Sequence, residues 1–217
     1  MAVNILVLIS GSGTNLQALI DATKDGQLKG TITKVISSSP SAYGLQRAEN
    51  DGISTHVHSL QKYYKGIPKE NKQQRAEARD KFNSDLADYI VEPENKPDMI
   101  VCAGWMLILS KTFLDKVEVR DIPIINLHPA LPGQFAGTNA IERAWQAGQS
   151  GDISKAGVMI HHVIAAVDEG EPLVVKELDL IKGESLEDYT ARVHDIEHIA
   201  IVEGAQKVVD TLSSRQL

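Results

Sequence analysis

The chain has 217 residues, 42% of them apolar and 24% charged. That is ordinary globular usage, far from the disordered class, and a compact chain of this length buries roughly 70% of its unfolded surface without disulfides or a metal. The 22 basic and 29 acidic residues give a net charge of −7, so no diffuse basic footprint for a long nucleic acid exists, although a local phosphate pocket is compatible with it.

Val3 to Ile9 is a β-branched apolar run ending in Ser10-Gly11-Ser12-Gly13, which predicts a strand buried on both faces that enters a tight turn. The apolar stretch lacks the basic flank of a signal peptide, and no run approaches the roughly 20 residues a bilayer requires; a cytoplasmic protein is expected. Asn15 to Ala22 has helical spacing. Ile32 to Ser37 reads as a second strand, and Tyr43 to Asn50 as a helix stopped by Gly52. Ser54 to His58 is a weaker strand. The charged segment from Lys62 to Glu94 carries a long exposed helix around Gln73 to Ile90, bracketed by Pro68 and Pro93. Met99 to Ala103 and Ile124 to Leu127 are further buried strands. Val158 to Val167 and Leu173 to Leu180 form a late pair joined by Asp168-Glu169-Gly170-Glu171-Pro172, with hairpin-like turn chemistry. Ser185 and Asp188 make a capping-box pattern that opens a long amphipathic helix. Strands alternating with helices predict an α/β, Rossmann-like fold. Its twisted sheet is mostly parallel, with helices on both faces and an antiparallel element near the C-terminal part. One domain over 1–217 is expected.

Gly11-Ser12-Gly13-Thr14-Asn15 exposes backbone N–H groups at the positive end of a helix dipole, an arrangement suited to phosphate. A dinucleotide fingerprint would need a small residue where Leu16 stands and an acid after the second strand, where Ser37-Ser38-Ser39-Pro40 stands. A phosphate monoester is the economical reading; closing the βα unit is the bland one. Asn126-Leu127-His128-Pro129 lies where a buried strand meets a loop, the place where ligands gather in parallel sheets. Asn126 can donate to a developing oxyanion and His128 can move a proton near neutral pH. Asp168, if close, would lift the His128 pKa above about 6.5, though turn chemistry alone also explains an Asp there. Of His161 and His162, both in a strand, one should face inward. His194 and His198 sit at i and i+4 without further metal ligands, which suggests a solvated helix face.

The segments Ile9–Ile20, Ala103–Ser110, Ile125–Gly137, Gly157–Val163, Val167–Val174 and Thr190–His198 together resemble the phosphoribosylglycinamide formyltransferases, and they span nearly the whole chain in order. The resemblance implies formyl transfer from 10-formyltetrahydrofolate, a co-substrate, to the glycine amine of a ribonucleotide. Metal, nucleic acid and membrane are not expected; the oligomeric state is open. It places the phosphate on Gly11, Ser12, Gly13, Thr14 and Asn15, with His194 and Glu197 touching the ribonucleotide. Folate falls to Arg79, to Met106, Leu107, Ile108 and Leu109, to Asn126, and to Ile164, Ala165, Ala166, Val167 and Asp168. Asn126, His128 and Asp168 match the catalytic trio. Residues 1–100 become a phosphate-binding half and 101–217 a folate-binding and catalytic half. Leu107 stands where the family often carries Arg, and Ala130-Leu131-Pro132-Gly133 replaces the usual Ser-Leu-Leu-Pro.

Three rivals follow. A methionyl-tRNA formyltransferase would continue into a nucleic-acid domain, whereas only one helix is predicted after Leu180. A 10-formyltetrahydrofolate hydrolase shares the trio but usually begins with a regulatory domain. A non-catalytic nucleotide-binding module would not need the trio at all.

Overall fold

Residues 2–215 are described in a computed structural model. Seven strands make one sheet: β1 (Val3–Ile9), β2 (Gly30–Ser37), β3 (Ser54–Val57), β4 (Met99–Cys102), β5 (Ile124–His128), β6 (Lys155–His162) and β7 (Pro172–Asp179). Their spatial order is β3-β2-β1-β4-β5-β6-β7. The first five are mutually parallel, and β6 and β7 add an antiparallel edge.

Alternation along β1 builds two cores from one strand. Ile5, Val7 and Ile9 pack on one face with Leu16, Leu19 and Ile20 of α1 (Thr14–Lys24), and with Tyr189, Val193 and Ile201 of the C-terminal helix. Leu6 and Leu8 pack on the other face with Phe82, Leu86 and Ile90 of the long charged helix. The mostly parallel sheet with helices on both faces is therefore the predicted one, and the uninterrupted apolar run of β1 is its cause.

The remaining helices are α2 (Tyr43–Asn50), α3 (Leu60–Tyr63), α4 (Lys72–Val91), α5 (Lys111–Glu118), α6 (Ala140–Ser150) and α7 (Leu186–Ser214). Ser185 caps α7, its Oγ accepting the Asp188 N–H at 3.1 Å. Gly204 lets α7 lie close to β6, since a Cβ there would stand 2.6 Å from Ile160 Cγ2. Three helices, α3, α5 and α6, are absent from the sequence reading. α3 is a single turn of four residues, and α5 and α6 bury two residues apiece. The predicted strand over Val158–Val167 also needs correction: pairing starts at Lys155 and stops at His162, and residues 163–168 leave the sheet.

The topology positions the site. From β1 the chain runs outward to β2 and β3, then crosses back to β4 on β1's other side. Such a reversal opens a crevice at the carboxyl ends of the central strands. The Gly11–Asn15 turn after β1, residues 103–109 after β4 and His128 at the end of β5 all leave from that edge, β1 and β5 being about 10 Å apart.

Candidate active site

Asn126 and His128 are two apart on β5, so both side chains leave the same face. Antiparallel pairing places His161 of β6 directly opposite Asn126, and the Asn126 Nδ2 lies 3.3 Å from His161 Nε2. Just beyond β6, Asp168 adopts a left-handed backbone, φ 59°, a strained conformation of the kind held at functional sites. That turn brings its carboxylate back over the sheet end. Oδ2 lies 3.4 Å from His128 Nδ1 and Oδ1 lies 3.6 Å from His161 Nε2. The Gly137 N–H donates to Oδ2 at 3.0 Å. The predicted trio thus converges, two of its members 40 positions apart in the chain.

His161 and Gly137 are the participants that sequence reasoning missed. The only signal for His161 was that one of two adjacent strand histidines must face inward; its pairing with Asn126 needed the register. A carbonyl only accepts, so the His161 Nδ1, 2.9 Å from the His162 carbonyl, carries the hydrogen. The ring's Nε2 faces both the Asn126 amide nitrogen, 3.3 Å away, and Asp168 Oδ1, 3.6 Å away.

One electrostatic expectation is overturned. Burial, the largest influence on His128, pushes its pKa below the ordinary 6.5, and the opposing pull of Asp168 does not make up the difference. His128 is therefore neutral at pH 7 in the free protein. Burial also acts to raise Asp168, but the His161 side chain, the Gly137 amide and His128 together hold the carboxyl below its usual range. The result is a firm carboxylate beside a neutral base. Acceptors face both ring nitrogens of His128, Asp168 at Nδ1 and the Gln134 carbonyl at Nε2, 3.4 Å away. A proton arriving on the ring would find partners on both sides.

Gly13 opens α1 at φ 73°, which the turn requires and a side chain disfavours. Asn15, in the first turn, donates from Nδ2 to Glu197 Oε2 of α7 at 3.2 Å. Glu197 is buried, and burial raises its pKa against the lowering influence of Asn15 and His194. His194 lies one turn before it on α7. His198 corrects the solvated-face reading, since its Nε2 is buried with no hydrogen-bond partner among the described residues.

The Ser10 hydroxyl accepts the Met106 N–H at 2.9 Å, joining the glycine turn to residues 104–109. There Met106 and Ile108 are 79% and 58% exposed while Leu109 is buried. Ile164 and Val167 are also exposed, and Ala165 and Ala166 lie between them in the open. Leu107 and Val163, one from each segment, pack against one buried cluster. Exposed apolar side chains from two loops at one strand edge suit a flat, apolar ligand. Arg79 is engaged elsewhere, its Nε donating to the Tyr64 hydroxyl at 3.2 Å.

An Asn, a His and an Asp at the strand ends of a Rossmann-like sheet make a site suited to acid–base chemistry, and comparison with known proteins gives the class. The formyl transferase domain family matches residues 3–204. Phosphoribosylglycinamide formyltransferase of Saccharomyces cerevisiae is 58% identical, covering 96% of this chain and 98% of the relative. The Escherichia coli protein of the same name is 33% identical over 90% of this chain and 82% of its own. Among solved structures, glycinamide ribonucleotide transformylase 1 of Symbiobacterium toebii aligns with TM-score 0.80 and 30% identity, covering 97% of this chain and 89% of that one. The chain belongs to the phosphoribosylglycinamide formyltransferase family.

Proposed function

We propose that this enzyme moves the formyl group of 10-formyltetrahydrofolate to the glycine amine of N1-(5-phospho-D-ribosyl)glycinamide, a step of purine (IMP) biosynthesis in the cytoplasm. The observation that carries the reading is the Asp168 carboxylate between His128 and His161, beside Asn126, at the mouth of the crevice. Gly11 to Asn15 hold the 5′-phosphate with their amides, and His194 and Glu197 hold the ribose. Met106 to Leu109 and Ile164 to Asp168 take the folate; Arg79 reaches it only by leaving Tyr64. Residues 1–100 supply the phosphate turn, and 101–217 the folate pocket and the chemistry.

The amine attacks the formyl carbon, forming a C–N bond and a tetrahedral oxyanion. Asn126 donates to that oxygen, and a donor so placed is worth roughly 2.7–4 kcal/mol. Neutral His128, its Nδ1–H on Asp168, accepts the amine proton at Nε2. The resulting imidazolium stabilises the oxyanion and returns the proton to the leaving folate nitrogen as the old C–N bond breaks. Positioned proton transfer of this kind contributes about 10²–10⁴-fold, and holding both substrates together supplies much of the remainder. No enzyme nucleophile takes part. Cys102 is fully buried, which pushes its thiol up to about 12, and a thiol so held is inert.

The test is to incubate the protein with 10-formyltetrahydrofolate and follow folate absorbance with and without the ribonucleotide. Turnover that requires the amine is expected. Turnover without it would make the enzyme a hydrolase, and none in either would leave a binding module.

A further inference from the structure

We infer that Arg47, on a helix outside the reacting centre, is a positioning residue that aims the glycine turn at the substrate's phosphate. The inference rests on the phosphate reading of that turn and adds a residue to it. In a planar trans peptide the carbonyl and the following N–H point in opposite directions. A loop whose carbonyls are tied down on one side therefore presents its amides on the other. Two successive carbonyls of the turn are tied to α2. The Gly11 carbonyl accepts the Gly44 N–H at 3.1 Å, and the Ser12 carbonyl accepts the Arg47 Nε–H at 2.9 Å. These bonds turn the Ser12 and Gly13 amides away from α2.

The guanidinium is fixed for the task. Its Nη1 donates to Gln17 Oε1 at 3.2 Å, and it lies over the Tyr43 ring, 5.0 Å from the centroid. The backbones of turn and helix touch, since a Cβ on Gly13 would stand 2.5 Å from Gly44 Cα. No cationic side chain occurs between Ser10 and Ile20, so Arg47 also places a positive charge behind a turn that receives a dianion. It borders a cavity of about 320 Å³ with Thr14, Gln17, Ala18, Asp21 and His198, so trimming it does not disturb close-packed core.

The experiment compares Arg47→Met and Arg47→Lys with the parent, using calorimetry with the ribonucleotide and with its dephosphorylated riboside, plus steady-state kinetics. Arg47→Met is expected to weaken ribonucleotide binding about tenfold, the size of a hydrogen bond to a charged group. Riboside affinity should hold, the loss should fall on KM and not kcat, and Arg47→Lys should recover part of it. Equal losses for both ligands, or none for either, would overturn the inference. A parent protein that binds ribonucleotide and riboside alike would instead overturn the phosphate reading beneath it. Should Arg47→Met melt early, Arg47→Lys alone decides: a phosphate-specific weakening supports the role, and unchanged affinity for the ribonucleotide refutes it.

Discussion

Glu197 sits where its charge is disfavoured, and that makes it the most informative single residue. Burial raises its pKa, so in the fold it binds its proton more tightly than in the unfolded chain. The sign follows: its contribution to stability is present in full below the ordinary 4.5 and is lost as pH rises through the raised value. Near neutrality the carboxylate costs stability, in keeping with the proposal that it holds the ribose. Glu197→Gln preserves an acceptor for Asn15 and removes the charge. Thermal unfolding at pH 7.5 should show Tm raised by about 2–4 °C for each kcal/mol recovered, while affinity for the ribonucleotide falls. A lower Tm would mean that the carboxylate stabilises the fold, against this account. Asn126 and His128 were legible because a buried apolar strand runs out into a loop at them, and Asp168 because it opens the turn between two apolar runs. The protonation of His128 was not, because desolvation depends on the loop from Pro129 to Gly137 that closes over it.

At the scale of elements, the seven strands were readable and the short helices were not. Strands of the central sheet are buried on both faces and give unbroken apolar runs, whereas the apolar residues of α5 and α6 are spaced among polar ones. The end of β6 was misplaced for a related reason. Val163 to Val167 continue an apolar pattern, yet they leave the sheet and stand exposed from Ile164 to Val167, so the same composition serves packing in one place and an open loop in the next. The turn between β1 and α1 carries the sharpest prediction at this scale. Gly13→Val puts a β-branched side chain at φ 73° and drives a Cβ against Gly44. A loss of roughly 2 kcal/mol in stability is expected from the backbone strain alone. Calorimetry should show ribonucleotide affinity reduced well beyond tenfold; unchanged affinity would place the phosphate elsewhere.

Taken over the whole molecule, acid should be a weakness. His56, His58, His128 and His198 all have pKa values lowered chiefly by burial. Each takes up its proton more readily unfolded than folded, so stability declines as pH drops below the ordinary 6.5. Glu197 works in the opposite sense but is one group against four. Asp85 and Asp168, both held low, add a second loss only below about 3.8. Urea midpoints measured from pH 7.5 to 5.5 should fall steadily; a flat or rising series would contradict the burial of these rings. Topology is the part that spacing could not supply, since nothing in the primary string says that β4 returns beside β1, and on that return the crevice depends. The claim that matters most is that Asp168, reaching back from beyond β6, works on the reacting atoms through His128. Asp168→Asn tolerates the left-handed backbone and puts a neutral amide of the same shape in place of the carboxylate. Single-turnover and steady-state rates on both substrates should show kcat lower by about 10²–10⁴-fold, with the ribonucleotide Kd little altered. A variant that turns over near the parent rate would contradict it.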